Sequence, residues 1–280
     1  FIDSDDYLEL NALEELYEIL KRNDLDTLFF DANTFFETKK LARKNKDLKN
    51  YYKRKPDFEY VMTGQELFAT MKRKFRVSAC LQINRTSFLN ENKIRFIEGI
   101  IHEDNPFTLE ITLKAERTMH VARGYYNRRV REDSIMTQNM NPRNSYGYFK
   151  GLIDILPKIS ENVTSQKVLT EYMIYLKSMR ESAVKSISKI RSDSYKHLRV
   201  TEDPGEHILY KFMIIDYSER LKNIDILKKE LKQYKSLKSH IKIYVKKQIK
   251  AKFSHIIKLH KKIKRIYIPN LLNFYKRVPK

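Results

Sequence analysis

Cysteine is almost missing from this 280-residue chain: Cys80 stands alone, so neither an internal disulfide framework nor an all-cysteine zinc site can form. Tryptophan is absent, and six glycines and seven prolines are too few for a collagen-like or glycine-rich low-complexity chain. No run approaches the roughly 18 uncharged apolar residues that a membrane-spanning helix needs. There is no glycine-rich phosphate loop and no nucleophile elbow, and the seven histidines are too scattered to argue for zinc. What is present suits a folded chain. Apolar residues make up 41%, with 18 Tyr and 15 Phe, enough to bury the core of one large domain or two modest ones. Cys80 lies in an apolar run and reads as a core thiol.

Acidic residues are also nearly missing from one region. From Leu221 to Lys280 there are 19 Lys/Arg and 2 Asp/Glu, a net charge of +17 out of +21 for the whole chain. The first 220 residues are close to neutral. Within the basic region Leu237, Ile241, Tyr244, Val245, Ile249 and Phe253 recur at three- and four-residue steps, the pattern of an amphipathic helix. A lysine-rich helix with an aliphatic stripe suits an anionic membrane surface. The alternatives are a stripe packed on the body with solvated lysines, and nucleic-acid binding, for which no base-reading motif is present.

Asn11–Lys21 carries one apolar face and predicts a helix; Leu25–Asp31 predicts a strand. Leu41–Asp57 is lysine-rich and predicts a surface loop or a short exposed helix. Thr63 and Glu66 fit a capping box. Strands are expected at Phe1–Ile2 (the end of one), Val77–Asn84, Ile94–Phe96 and Val121–Arg129. A helix is expected from Asn105–Pro106 to about Met119, then a polar loop over Arg129–Ser145. From Tyr146 onward the chain reads as helical, with breaks near Pro157, Ser192–Pro204 and Pro269.

Three constellations could carry chemistry. Asp3-Ser4-Asp5-Asp6 follows the expected strand end, where ligands of open α/β sheets bind, and paired carboxylates can hold a hard divalent cation. Asp6 could equally cap the following helix. In His102-Glu103-Asp104 a carboxylate could serve as a general base at a helix start, or the run could simply cap the helix. Arg129, Arg131 and Ser134 lie at and beyond a strand end; they could clamp a diphosphate, or form an ordinary basic edge.

In this order and spacing, the segments FIDSDDYLELNALEELY, IRFIEGIIHEDNPF and YYNRRVREDSIM resemble family 2 glycosyltransferases of the GT-A fold, most closely the bacterial enzymes of capsule, teichoic-acid and other surface-glycan synthesis. The resemblance implies an α/β fold: a partial GT-A (Rossmann-like) mixed sheet with helices over 1–150, a helical extension over 151–220 and a basic amphipathic helical tail over 221–280. It implies that Asp3 and Asp5 hold Mn2+ or Mg2+, that Asp104 is the catalytic base with Glu103 and His102 in support, and that Arg129, Arg131 and Ser134 lie near the diphosphate or the acceptor. The implied reaction is inverting transfer from a nucleotide sugar, UDP-linked by default, to a glycan or lipid-linked acceptor. The implied place is the inner face of the plasma membrane, reached through residues 221–280, with no specific nucleic acid as partner. Family members carry a nucleotide-binding half ahead of the metal motif. That half is therefore expected upstream on the same polypeptide or on another one, and turnover is not expected of this chain alone. A silent membrane-bound scaffold or remnant is the competing reading.

Overall fold

The computed structural model describes residues 1–54, 58–132, 134, 141–188, 190 and 197–233. They belong to two compact units, Phe1–Ile187 and Ser188–Lys280.

The first unit is built around β2 (Thr27–Phe36), whose LFFDA core is apolar on both faces, as a strand covered on both sides must be. Leu28, Phe30 and Ala32 meet Ala12, Leu16 and Leu20 of α1 (Ala12–Arg22) on one side. Phe29 turns the other way, its ring 5.5 Å from that of Phe75. β2 pairs parallel with the long β5 (Thr118–Val130) and antiparallel with β4 (Gln82–Asn84). β1 (Tyr7–Leu8) and β3 (Phe58–Met62) pair antiparallel with opposite ends of β5, which completes a mixed five-stranded sheet.

Helices fill the Phe29 side. α2 (Lys39–Lys44) and α4 (Thr86–Glu91) are short flanking turns; α3 (Gly64–Met71), α5 (Asp104–Lys114), α6 (Pro142–Asn162) and α7 (Gln166–Ile187) form the packed layer. α5 is buried on every side from Asn105 to Leu113. Its polar residues are therefore paired: Glu110 lies 2.7 Å from Lys158, and Thr112 Oγ1 is 2.8 Å from the Tyr172 hydroxyl. The α/β class is as expected. The second unit, by itself, is helical where described: α8 (Pro204–Tyr210), a π-helical turn (Lys211–Ile215) and α9 (Asp216–Gln233).

The capping box at Thr63 and Glu66 and the helix at Asn11–Lys21 form as read. Other elements differ. Leu41–Asp57 is not all surface, because Arg54 is fully buried; its guanidinium donates to the carbonyls of Phe30 and Leu81, each at 3.0 Å, and to that of Arg76. Those captured carbonyls also shorten the expected strand Val77–Asn84 to Gln82–Asn84. Ahead of it the Ser78 hydroxyl accepts the Cys80 N–H and favours a 3₁₀ turn. Phe1–Ile2 and Ile94–Phe96 are irregular rather than strand: Phe96 stacks on Phe107 at 4.1 Å, and Phe1 meets both rings edge-on. The helix after Pro106 ends at Lys114, not Met119, and Pro157 does not break α6, since it faces solvent where water can take the freed carbonyl. The break comes at Val163–Ser165. Pro269 and the amphipathic stripe from 237 onward lie outside the described residues.

Candidate active site

His102, Glu103 and Asp104 form the entry to α5. The chain turns sharply there: Gly99 takes φ 75°, and His102 takes φ 70° although it carries a β-carbon. The turn closes when the Asn105 N–H and Nδ2 both donate to the His102 carbonyl, at 3.1 and 3.2 Å. α6 clamps it from outside. Gly147 packs so close to Ile101 that an added Cβ would stand 1.9 Å from the Ile101 carbonyl oxygen. One turn of helix around it, Tyr148 stacks on the His102 ring at 4.0 Å, and Asn144 Nδ2 is 3.3 Å from His102 Nε2. Burial lowers the His102 pKa to about 4, so its ring is neutral near pH 7 and can accept that bond.

Asp104 faces a cavity of about 200 Å³ whose walls include Tyr51, Tyr52, Tyr148 and Tyr175. The enclosure pushes its pKa up to about 7; the Glu103 charge adds to the shift and Asp3 contributes, against hydrogen bonds from the backbone of Asn105. Asn105 Nδ2 donates to Asp104 Oδ1 at 3.1 Å, and the Tyr175 hydroxyl donates to Asn105 Oδ1 at 2.8 Å, fixing the carboxylate's neighbour. The base candidate therefore sits ready to accept a proton near neutral pH.

The Asp3–Asp6 turn lies at the C-terminal end of β5, and alternation along that strand divides its carboxylates. Tyr126 and Arg128 point to one face. There the Tyr126 hydroxyl accepts the Asp3 N–H at 3.1 Å, and the Arg128 guanidinium lies 5.0 Å from the centre of the Tyr52 ring. Asn127, Arg129 and Arg131 point to the other: Arg131 holds Asp5 at 2.6 Å and so lowers its pKa, while the Arg129 guanidinium holds Glu37 at 2.6 Å. The Arg129 N–H donates to Asp6 at 2.7 Å. Asp3 has its pKa raised by partial desolvation and by Asp6 and Asp5, with the Cys80 thiol donating to it in opposition.

The structure thus brings Asp3 and Asp104 within each other's field, and joins Arg131 to Asp5. Arg129 is directed away to Glu37. Ser134 lies four residues beyond β5 and is half-buried. Among the described residues no cluster of three or more His, Cys, Asp or Glu could hold a metal ion. The oxygen donors of Asp3 and Asp5 still suit a hard cation, whose charge would relieve the mutual repulsion that raises the Asp3 pKa. Two carboxylates leave most of such a cation's shell for other oxygens. Sequence reading missed Arg128 and the four tyrosines. The alternation of β5 separates Arg128 from Arg129 and was the available signal; the tyrosines come from three distant segments and gave none.

The sequence matches no known family and no curated protein. Solved structures overlap loosely. Staphylococcus aureus TarS 1–349 aligns with 79% of this chain at 16% identity and a TM-score of 0.44; its complex with UDP-GlcNAc aligns at 19% and 0.45, and its complex with UDP at 17% and 0.45. The chain spans 57% to 64% of the length of those three. Overlap of that degree says nothing of activity, which has to be argued from the residues above.

Proposed function

We propose that the native protein is an inverting glycosyltransferase acting on a nucleotide-sugar donor, UDP-linked by default, and on a hydroxyl of a glycan or lipid-linked acceptor. The observation that carries this reading is Asp104, a carboxylate at the head of a buried helix, facing an aromatic cleft, with its pKa raised to about 7. A general base works best when its pKa lies near the working pH. Asp104 takes the proton of the acceptor hydroxyl as that oxygen attacks the anomeric carbon. The bond from that carbon to the diphosphate breaks, its electron pair leaves with the nucleotide diphosphate, and the configuration inverts. Glu103 supports the negative site, and neutral His102, fixed by Tyr148 and Asn144, holds the turn that aims Asp104.

A divalent cation, Mn2+ or Mg2+, held by Asp3 and Asp5 would supply neutralisation of the charge growing on the diphosphate. Arg131, next to Asp5, adds charge-assisted hydrogen bonds to the same group, with Arg129 and Ser134 on the flanking segment. The basic segment from Leu221 onward docks the enzyme on the anionic cytoplasmic face of the plasma membrane. No helix among the described residues is long and apolar enough to cross a membrane.

The test is Asp104→Asn in the native-length protein. Transfer should fall by about 100-fold or more while the fold and donor binding persist. Unchanged turnover would remove Asp104 from the role of base, and no sugar transfer by the wild type with any nucleotide sugar would favour the silent-scaffold reading.

A further inference from the structure

Beside the Asp104 cleft lies a wider groove of about 430 Å³, and the two share Phe75, Arg76, Tyr175 and Ser178 as a common wall. Their linings differ. The cleft is aromatic, whereas the groove sets Lys72, Arg73, Arg76 and Lys177 against Glu171 and Glu181. Glu181 answers Lys177 only loosely, at 3.9 Å between exposed side chains, a contact of little strength. The cations are held there by specific backbone and side-chain geometry. Lys72 ends α3 at φ 52°, ψ −133°, a conformation that a residue with a β-carbon adopts only under constraint, and it opens a 3₁₀ turn over Lys72–Lys74. The Arg76 guanidinium lies 5.1 Å from the centre of the Tyr51 ring and donates to the Arg73 carbonyl; its Nε is buried with no hydrogen-bond partner among the described residues.

We propose that this groove is a subsite for the anionic groups of the acceptor, phosphodiester or carboxylate, carried by the acceptor chain next to the hydroxyl that reaches Asp104. The inference rests on the glycosyltransferase reading and names its acceptor class. Guanidinium forks bind oxyanions through paired charge-assisted bonds, and an uncharged glycan would gain nothing from stripping water off these cations. The ring faces of Tyr51 and Tyr175 beside them suit the apolar face of a sugar. The acceptor is thus an acidic or phosphate-linked saccharide chain, lying along the groove with its end in the cleft.

The experiment measures equilibrium binding of the full chain to three size-matched oligomers: a glycerol-phosphate tetramer, a galacturonate tetramer and neutral maltotetraose. It compares the wild type with Arg73→Ala/Lys177→Ala. Both side chains are exposed, so the fold should tolerate their loss. The basic segment from 221 onward is common to both proteins and cancels from the comparison. One or both charged oligomers should lose about tenfold or more in affinity, with maltotetraose unchanged, and the larger loss tells phosphate from carboxylate. Equal affinity of wild type and variant for both charged oligomers, or an equal loss for maltotetraose, would overturn the proposal. Binding is read without turnover. A native-length protein that showed this pattern but transferred no sugar would refute the transferase reading and leave the anion groove standing.

Discussion

At the scale of single residues, two buried charges do opposite work. Arg54 is structural: its backbone N–H donates to Asp31 at 3.0 Å, its guanidinium satisfies carbonyls from three segments, and it lies between the rings of Phe29 and Phe75 at 5.4 and 5.3 Å. Arg54→Met should destabilise the protein by about 3–5 kcal/mol, because those carbonyls lose their donor. Arg54→Lys should rescue little of it, since an ammonium cannot reproduce the fork; urea denaturation reads both. Asp104 is functional, and its shift carries a sign. Its folded-state pKa of about 7 lies above the unfolded value of 3.8, so the folded state binds the proton more tightly. The stability it gives is complete below the unfolded value and is lost as pH rises through about 7. Activity runs the other way, because only the ionised form is a base. Transfer should therefore climb with pH through about 7 while thermal stability declines, and Asp104→Asn should remove both dependences. A transfer rate flat from pH 5 to 8 would contradict this.

At the scale of elements, the first turns of two helices make the site. α5 presents Asp104 and α6 locks the turn before it, and the contact between them leaves no room for a methyl group at Gly147. Gly147→Ala should cost about 1–3 kcal/mol in thermal or urea unfolding and should lower turnover beyond that, because α6 has to move off Ile101 and take Tyr148 with it. A loss of stability with turnover intact would mean that α6 does not position the turn. Much of this level was legible in the sequence. α1, the Thr63 box and the helix after Asn105 announce themselves by periodicity and capping, which are local. The Asp3–Asp6 and His102–Asp104 motifs were legible for the same reason. What was hidden depends on contacts distant in sequence. Arg54 looked like one more surface lysine-type residue until three segments closed around it, and the Val77–Leu81 stretch, strand-like by composition, spends its carbonyls on that guanidinium. The convergence of Tyr51, Tyr148 and Tyr175 on one cleft is likewise a product of packing.

At the scale of the whole molecule, charge is unevenly shared: residues 221–280 carry +17 of the net +21. If that segment docks on lipid, the protein should co-sediment with phosphatidylserine-containing vesicles, not with phosphatidylcholine alone. Binding should weaken as salt rises from 0.05 to about 0.5 M, and deletion of residues 234–280 should abolish it. Equal binding to neutral vesicles would contradict the electrostatic account. The claim on which the functional account turns is donor recognition through Asp3 and Asp5. Calorimetric titration of UDP into the native-length protein, with and without Mn2+, tests it most directly. The account predicts binding that requires the cation and that Asp3→Asn/Asp5→Asn eliminates with the fold unchanged. No binding of UDP, or binding indifferent to both the cation and the two carboxylates, would contradict it.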